Sequence, residues 1–178
     1  MGKINFRNNL FEFFEKTTIL SLVLFTIWHM VELYEKSAGG IVYRKKQGII
    51  EVLMLAWRNA KGDLEYVLPK GHIEEDESAY ETAIREIAEE TWLSIEHLEL
   101  IKFMNKINYS FVATHKEGNP LINKDVYLFL VKYKGKKEPI PQKEERFIGY
   151  KWFTIEDLST VRIKPDVVGF IEKNIQFM

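Results

Sequence analysis

The chain has no cysteine, which excludes disulfides, thiolate metal ligands and a cysteine nucleophile. Such a chain is compatible with a reducing compartment, and a cytoplasmic location is the expectation. It is also poor in proline, with 5 in 178 residues, and carries no repeat or low-complexity tract. No GxxxxGKS run is present, so a P-loop phosphate site is excluded. Neither sign of charge is in excess: 25 Lys and Arg stand against 26 Asp and Glu, a net charge of -1. Without a global field, no stable nucleic-acid partner is expected. A long apolar run is missing as well. The longest uncharged stretch is residues 17–31, TTILSLVLFTIWHMV, short of the roughly 20 residues that a spanning helix needs.

That stretch nevertheless stands apart from the rest, and residues 1–35 form a separate apolar helical segment in this reading. Lys3 and Arg7 precede it as in a signal peptide, yet Glu12 and Glu15 intervene and no small-residue cleavage site follows. Three readings fit. It is a packing or dimerising helix, a membrane-associating segment, or a start-site artefact with Met30 as the true first residue. The oligomeric state is left open by all three.

The remainder, 36–178, reads as one domain. SAGGIVYR (37–44) and IIEVLMLAW (49–57) are β-branched runs split by polar KKQG, a strand pair. LEYVL (64–68) is a third strand that must stop at Pro69. A loop, KGHIEEDE, leads to a helix whose start at about Ala79 is marked by a capping box, Ser78-x-x-Glu81. Ala79, Ala83 and Ile87, with Tyr80, Ile84 and Ala88, give that helix a buried face. Long strands follow over 97–113 and 125–134 around KEGNPLINK, then a last strand over 147–155 and a closing helix over 164–175. Strands flanking a central helix, with a second helix at the end, predict an α/β sandwich with a mixed sheet.

The central helix is the anomaly. From Gly71 to Leu93 there are eight acidic side chains and one basic one, Arg85. Glu86, Glu89 and Glu90 fall at i, i+3 and i+4, so their carboxylates leave one face of the helix. Like charges four apart destabilise a helix by roughly 0.2–0.5 kcal/mol per pair. A solvated acidic face is the plain explanation. A divalent cation accounts for the opposition of Glu86 and Glu90 more directly, because Mg²⁺ takes a few carboxylates together with substrate phosphates. Arg85 is placed for a helix ion pair with Glu81 or Glu89, or for holding the loop carboxylate Glu77.

A fixed pattern decides between these. Gly71, five residues, Glu77, seven residues, then Arg85-Glu86-Ile87-Ala88-Glu89-Glu90 with Leu93 closing resembles the box of the Nudix hydrolases. Six fixed residues at that spacing arise by chance in on the order of one in a million chains. SAGGIVYR is similar to the family's first strand, LPKG to its entry to the box and YKWFTIEDL to its closing strand and turn. The resemblance implies an α/β/α sandwich that hydrolyses a nucleoside diphosphate linked to another moiety, with Mg²⁺ or Mn²⁺. Carried over by position, Glu86, Glu89 and Glu90 are the implied metal carboxylates and the Lys70 carbonyl a further ligand, while Arg85 and Glu77 tie loop to helix. Trp92 departs from the pattern, since the family usually has glycine there. Glycine suits a left-handed helix exit, so the exit from the helix is in question.

No covalent nucleophile is needed for this chemistry, but the attacking water needs a base. In the family the base is a box glutamate or a carboxylate on a later loop, here Glu145 first and Glu144 second. Lys70 and Lys124 are candidates for phosphate oxygens. His72 reads as a loop residue rather than a ligand. LPKGHIE and SAGG look most like the asymmetrical diadenosine tetraphosphate hydrolases. Tyr109, sixteen residues after Leu93, resembles their substrate tyrosine, and no proline of the kind that marks ADP-ribose enzymes occurs before Pro120. Tyr127 is a second candidate for base contact. Nucleoside triphosphates, RNA 5' ends, ADP-ribose and diphosphoinositol phosphates are the alternative substrates, and a nucleotide-binding regulator is the non-catalytic alternative.

Overall fold

The computed structural model describes residues 31–59, 61–114, 116–142, 146–163 and 165–178. Residues 1–30 and the loop carboxylates Glu144 and Glu145 lie outside the described residues. Among the described residues no helix is long and apolar enough to cross a membrane.

Among the described residues, seven strands and two helices follow in the order β1 (Glu32–Lys46), β2 (Ile49–Arg58), β3 (Leu64–Val67), β4 (Lys70–His72), α1 (Ala79–Thr91), β5 (Leu98–Val112), β6 (Leu121–Tyr133), β7 (Gly149–Thr154) and α2 (Pro165–Asn174). The strands form one sheet, ordered β3-β2-β1-β6-β5, with β4 on β1 and β7 on β2. β1 pairs antiparallel with β2 only through Tyr43–Lys46, and its earlier residues Ser37–Gly39 pair with β4. That second pairing brings the residues just before the acidic helix onto a central strand.

The chain divides into two units. In the larger, Glu35–Tyr109 with Lys124–Met178, the side chains alternate between two buried clusters. Ile41, Tyr43, Met54, Leu128, Leu130 and Phe153 share one with Leu158 and Ile171, so α2 covers that face. Ala38, Val42, Leu53, Phe129 and Val131 share the other with Ala83, Ile84 and Ile87 of α1. The expected α/β sandwich is the observed architecture, and residues 37–43 of β1 read as a nearly unbroken apolar run because they are buried on both faces. In the smaller unit, which among the described residues holds 31–34 and 110–123, the Leu121 N–H donates to the Val31 carbonyl at 2.9 Å. A turn closes there through the Asn119 N–H and the Lys116 carbonyl at 3.1 Å.

Three boundaries differ from expectation. β1 begins at Glu32 rather than Ser37, and β6 at Leu121 rather than Asp125. The third is β4, where the sequence predicts loop: three residues are too few to show a period, and their pairing depends on β1.

Candidate active site

The acidic helix starts where the sequence places it. Ser78 caps α1, its N–H donating to Glu81 Oε2 at 2.9 Å while the Glu81 N–H donates to Ser78 Oγ at 3.2 Å. The capping box fixes the register, and the register fixes which acids face β4.

Arg85 lies among those acids. Its Nε and Nη2 donate to the two Glu77 oxygens at 2.8 Å each, and Nη2 also reaches the His72 carbonyl at 3.0 Å. Its Nη1 donates to Glu86 at 2.9 Å and to Glu89 at 3.0 Å. Of the readings open for Arg85, both the loop tie and the pair with Glu89 form, whereas Glu81 turns to Ser78 instead. Hydrogen bonds from Arg85 hold the Glu77 carboxyl down at about 2, against partial burial that opposes the shift, with further bonds from Thr82 Oγ1 and the Glu74 N–H. Those carboxylates in turn hold the Arg85 guanidinium above its ordinary range.

A pH dependence follows. The folded value of Glu77, about 2, lies below the ordinary 4.5. Its stabilising effect is therefore complete above pH 4.5 and lost as pH falls from 4.5 to 2. Glu77→Gln is expected to lower the thermal midpoint at pH 7, with the gap from the parent protein narrowing steadily down to pH 2.5. A gap that stays constant with pH would contradict the pairing.

The three helix carboxylates differ in setting. Glu89 is half exposed, Glu86 has 13% of its side chain exposed, and Glu90 is buried. Glu90 Oε2 accepts from the Lys70 N–H at 2.9 Å, which ties the helix to β4. Glu86 lies against Gly71, where an added Cβ would come within 2.0 Å of its carboxyl atoms. The glycine is thus required by close approach, because the carboxylate occupies the space of a side chain.

Among the described residues, no three His, Asp or Glu side chains converge into a finished metal cage. The donor chemistry nevertheless fits a hard cation. One guanidinium serves three carboxylates, and its Nη1 sits between Glu86 and Glu89 as a stand-in positive charge. Oxygen donors on one helical turn, two of them largely withdrawn from water, match what Mg²⁺ or Mn²⁺ takes.

Trp92 answers the question raised by the missing glycine. It adopts φ 55° and ψ 24°, the left-handed exit, and its N–H donates to the Ala88 carbonyl at 2.7 Å. The helix ends as glycine would end it, at a cost of roughly 1–2 kcal/mol for a bulky L-residue. The last carbonyls are taken by a neighbouring segment: the Ile140 N–H donates to Thr91 at 2.8 Å and the Gln142 N–H to Glu90 at 3.1 Å. Residues 140–142 are thereby pinned to the end of the acidic helix.

On the α2 side of the sheet, a cavity of about 200 Å³ is lined by Tyr66, Leu68, Lys70, Tyr109, Val126 and Ile163, among others. Tyr109 is raised above its ordinary pKa, first by burial and then by the charge of Glu35. Tyr127 is not brought to this cavity. It lies in the cluster on the α1 side, 6.3 Å from the Phe103 ring. Lys124 is not among the lining residues either. Its Nζ donates to Glu35 Oε2 at 3.4 Å and lies 3.3 Å from His72 Nε2, which is itself 3.0 Å from Glu35. Glu35 is the member that the sequence did not reveal, because nothing in its neighbourhood marks it until β1 pairs with β4.

These features can be set beside known proteins. A family profile described as the NUDIX domain matches residues 33–173. The chain belongs to the Nudix family. The "Putative mutator protein MutT4" of Mycobacterium tuberculosis is 36% identical over 109 residues, 60% of this chain and 41% of that protein. The chain thus spans less than half the length of that relative. The asymmetrical bis(5'-nucleosyl)-tetraphosphatase of Mus musculus is 27% identical over 150 residues, 80% of this chain and 95% of that protein. Among solved structures, a binary complex of the C. elegans Ap4A hydrolase has a TM-score of 0.62 at 25% identity, covering 80% of this chain and 96% of that one. The chain is a Nudix hydrolase, an enzyme of phosphoric anhydride bonds.

Proposed function

We propose that this Nudix hydrolase cleaves a nucleoside diphosphate linked to another moiety, with diadenosine tetraphosphate as preferred substrate and ATP and AMP as products. One juxtaposition carries the reading: Lys70 lines the Tyr109 cavity and also hands its N–H to Glu90 of the acidic helix. A base held in the cavity has its phosphates at the carboxylates. The names of the mouse and nematode relatives support the same substrate.

Glu86, Glu89, Glu90 and the Lys70 carbonyl would hold Mg²⁺ or Mn²⁺, which when bound neutralises phosphate charge and acidifies a water. The chain's own residues do the rest. Arg85 fixes Glu77, Glu86 and Glu89 relative to the β4 backbone. Tyr109 offers the base a ring, and Lys70 and Lys124 offer phosphate oxygens their charge. Glu145, or Glu144 in its place, takes the proton of the attacking water as its oxygen bonds to phosphorus. The anhydride P–O bond breaks and the leaving nucleotide keeps the bridging oxygen.

A ring against an adenine is worth roughly 1–3 kcal/mol. Tyr109→Ala is therefore expected to raise KM for diadenosine tetraphosphate by about tenfold and to lower kcat far less, as loss of uniform binding does. In a panel with nucleoside triphosphates and ADP-ribose, the dinucleotide should give the highest kcat/KM. Equal efficiency on ADP-ribose, or an unchanged KM in the variant, would overturn the substrate assignment and leave the anhydride chemistry standing.

A further inference from the structure

The backbone of Trp92 is in a conformation that glycine enters freely and a bulky residue does not, with φ 55°. Packing does not repay that strain, because the residue is 69% exposed. Strain held without a packing return points to a use for the side chain. Its position indicates which. Trp92 forms one wall of an open groove with Glu89, Leu93, Ile95 and Gln142. Lys70 belongs to both the Tyr109 cavity and the acidic site, and Glu89 to both the acidic site and this groove. The acidic face therefore connects two apolar surfaces, each carrying an aromatic ring. That layout suits a ligand with a polyanionic middle and two flat apolar ends.

We propose that Trp92 is the stacking platform for the second nucleobase of a dinucleoside polyphosphate, and so distinguishes two-base from one-base substrates. The inference rests on the function proposed above and adds a residue that no part of the Nudix pattern supplies. The enclosed Tyr109 cavity takes the first base, and a substrate with one base leaves the groove empty.

The test compares Trp92→Gly and Trp92→Phe with the parent in the full chain, on diadenosine tetraphosphate and on adenosine 5'-tetraphosphate, which has the same phosphates and one base. Trp92→Gly should raise KM for the two-base substrate about tenfold, or about 1.4 kcal/mol. For the one-base substrate KM should move less than about twofold. Trp92→Phe should recover most of the loss, and the thermal midpoint of Trp92→Gly should not fall, since the glycine removes strain. Equal KM shifts on both substrates, or none on either, would overturn the proposal. So would a change confined to the sedimentation coefficient, which would make the indole a contact between copies.

If the parent cleaves neither nucleotide, the function above has failed, and the platform is read by fluorescence. Diadenosine tetraphosphate should then quench the parent more than adenosine 5'-tetraphosphate does, and the difference should vanish in Trp92→Phe. Equal quenching by both would overturn the platform by itself.

Discussion

Glu90→Gln is expected to cut turnover by about a thousandfold or more, since a catalytic cation site contributes several kcal/mol to the transition state. The folded protein should survive the change. Glu90 is buried, and it accepts the Lys70 N–H at 2.9 Å. A glutamine keeps the shape and one acceptor oxygen there while it removes the charge. Turnover should therefore fall while the thermal midpoint stays near that of the parent. Glu89→Gln gives an independent reading, because its side chain is 53% exposed and its i,i+4 pair with Arg85 is of the kind that contributes little to folding. Parental rates in both variants would show that the carboxylates serve the fold and not the reaction.

Gly71→Ala should be nearly as damaging to activity, through geometry alone. The added methyl would fall 2.0 Å from Glu86 Cδ and both of its oxygens. A flexible carboxylate end can swing away, so the fold survives and the site loses its position. Gly39→Ala is the contrasting case. Its methyl would meet the Pro69 carbonyl at 2.2 Å and Lys70 Cα at 2.7 Å, backbone that cannot swing aside. Destabilisation of roughly 1–3 kcal/mol or more is expected there, as for other overpacked sites. Measuring kcat and the thermal midpoint of both variants separates the two effects. Full activity in Gly71→Ala would mean that the placement of Glu86 against β4 is irrelevant to the reaction.

How much of this was legible in the sequence follows from how local each signal is. The capping box, the helical face of Glu86, Glu89 and Glu90, and the reach of Arg85 to Glu77 are set within some fifteen residues. A linear reading finds such short-range relations, and the acids, the cap and the tie stand where it puts them. Gly71 was legible as a box position, but its physical reason, the space filled by the Glu86 carboxylate, appears only when β4 meets the helix. Register between distant strands is not local. Tyr109 ranked ahead of Tyr127 in the sequence, but only the β5–β6 arrangement put them in different side-chain clusters. Glu35 meets His72 and Lys124 only because β1 lies beside both β4 and β6. Trp92 is the reverse case: its cost was readable from one position, whereas its exposure and its groove were not.

The most direct measurement is the identity of the products formed from diadenosine tetraphosphate by the full chain with Mg²⁺, separated by anion-exchange chromatography, with and without a chelator. The predicted result is ATP and AMP in equal amounts, with neither formed once the divalent ion is removed. Two equivalents of ADP, cleavage indifferent to the chelator, or an intact dinucleotide beside readily cleaved ADP-ribose would contradict the account.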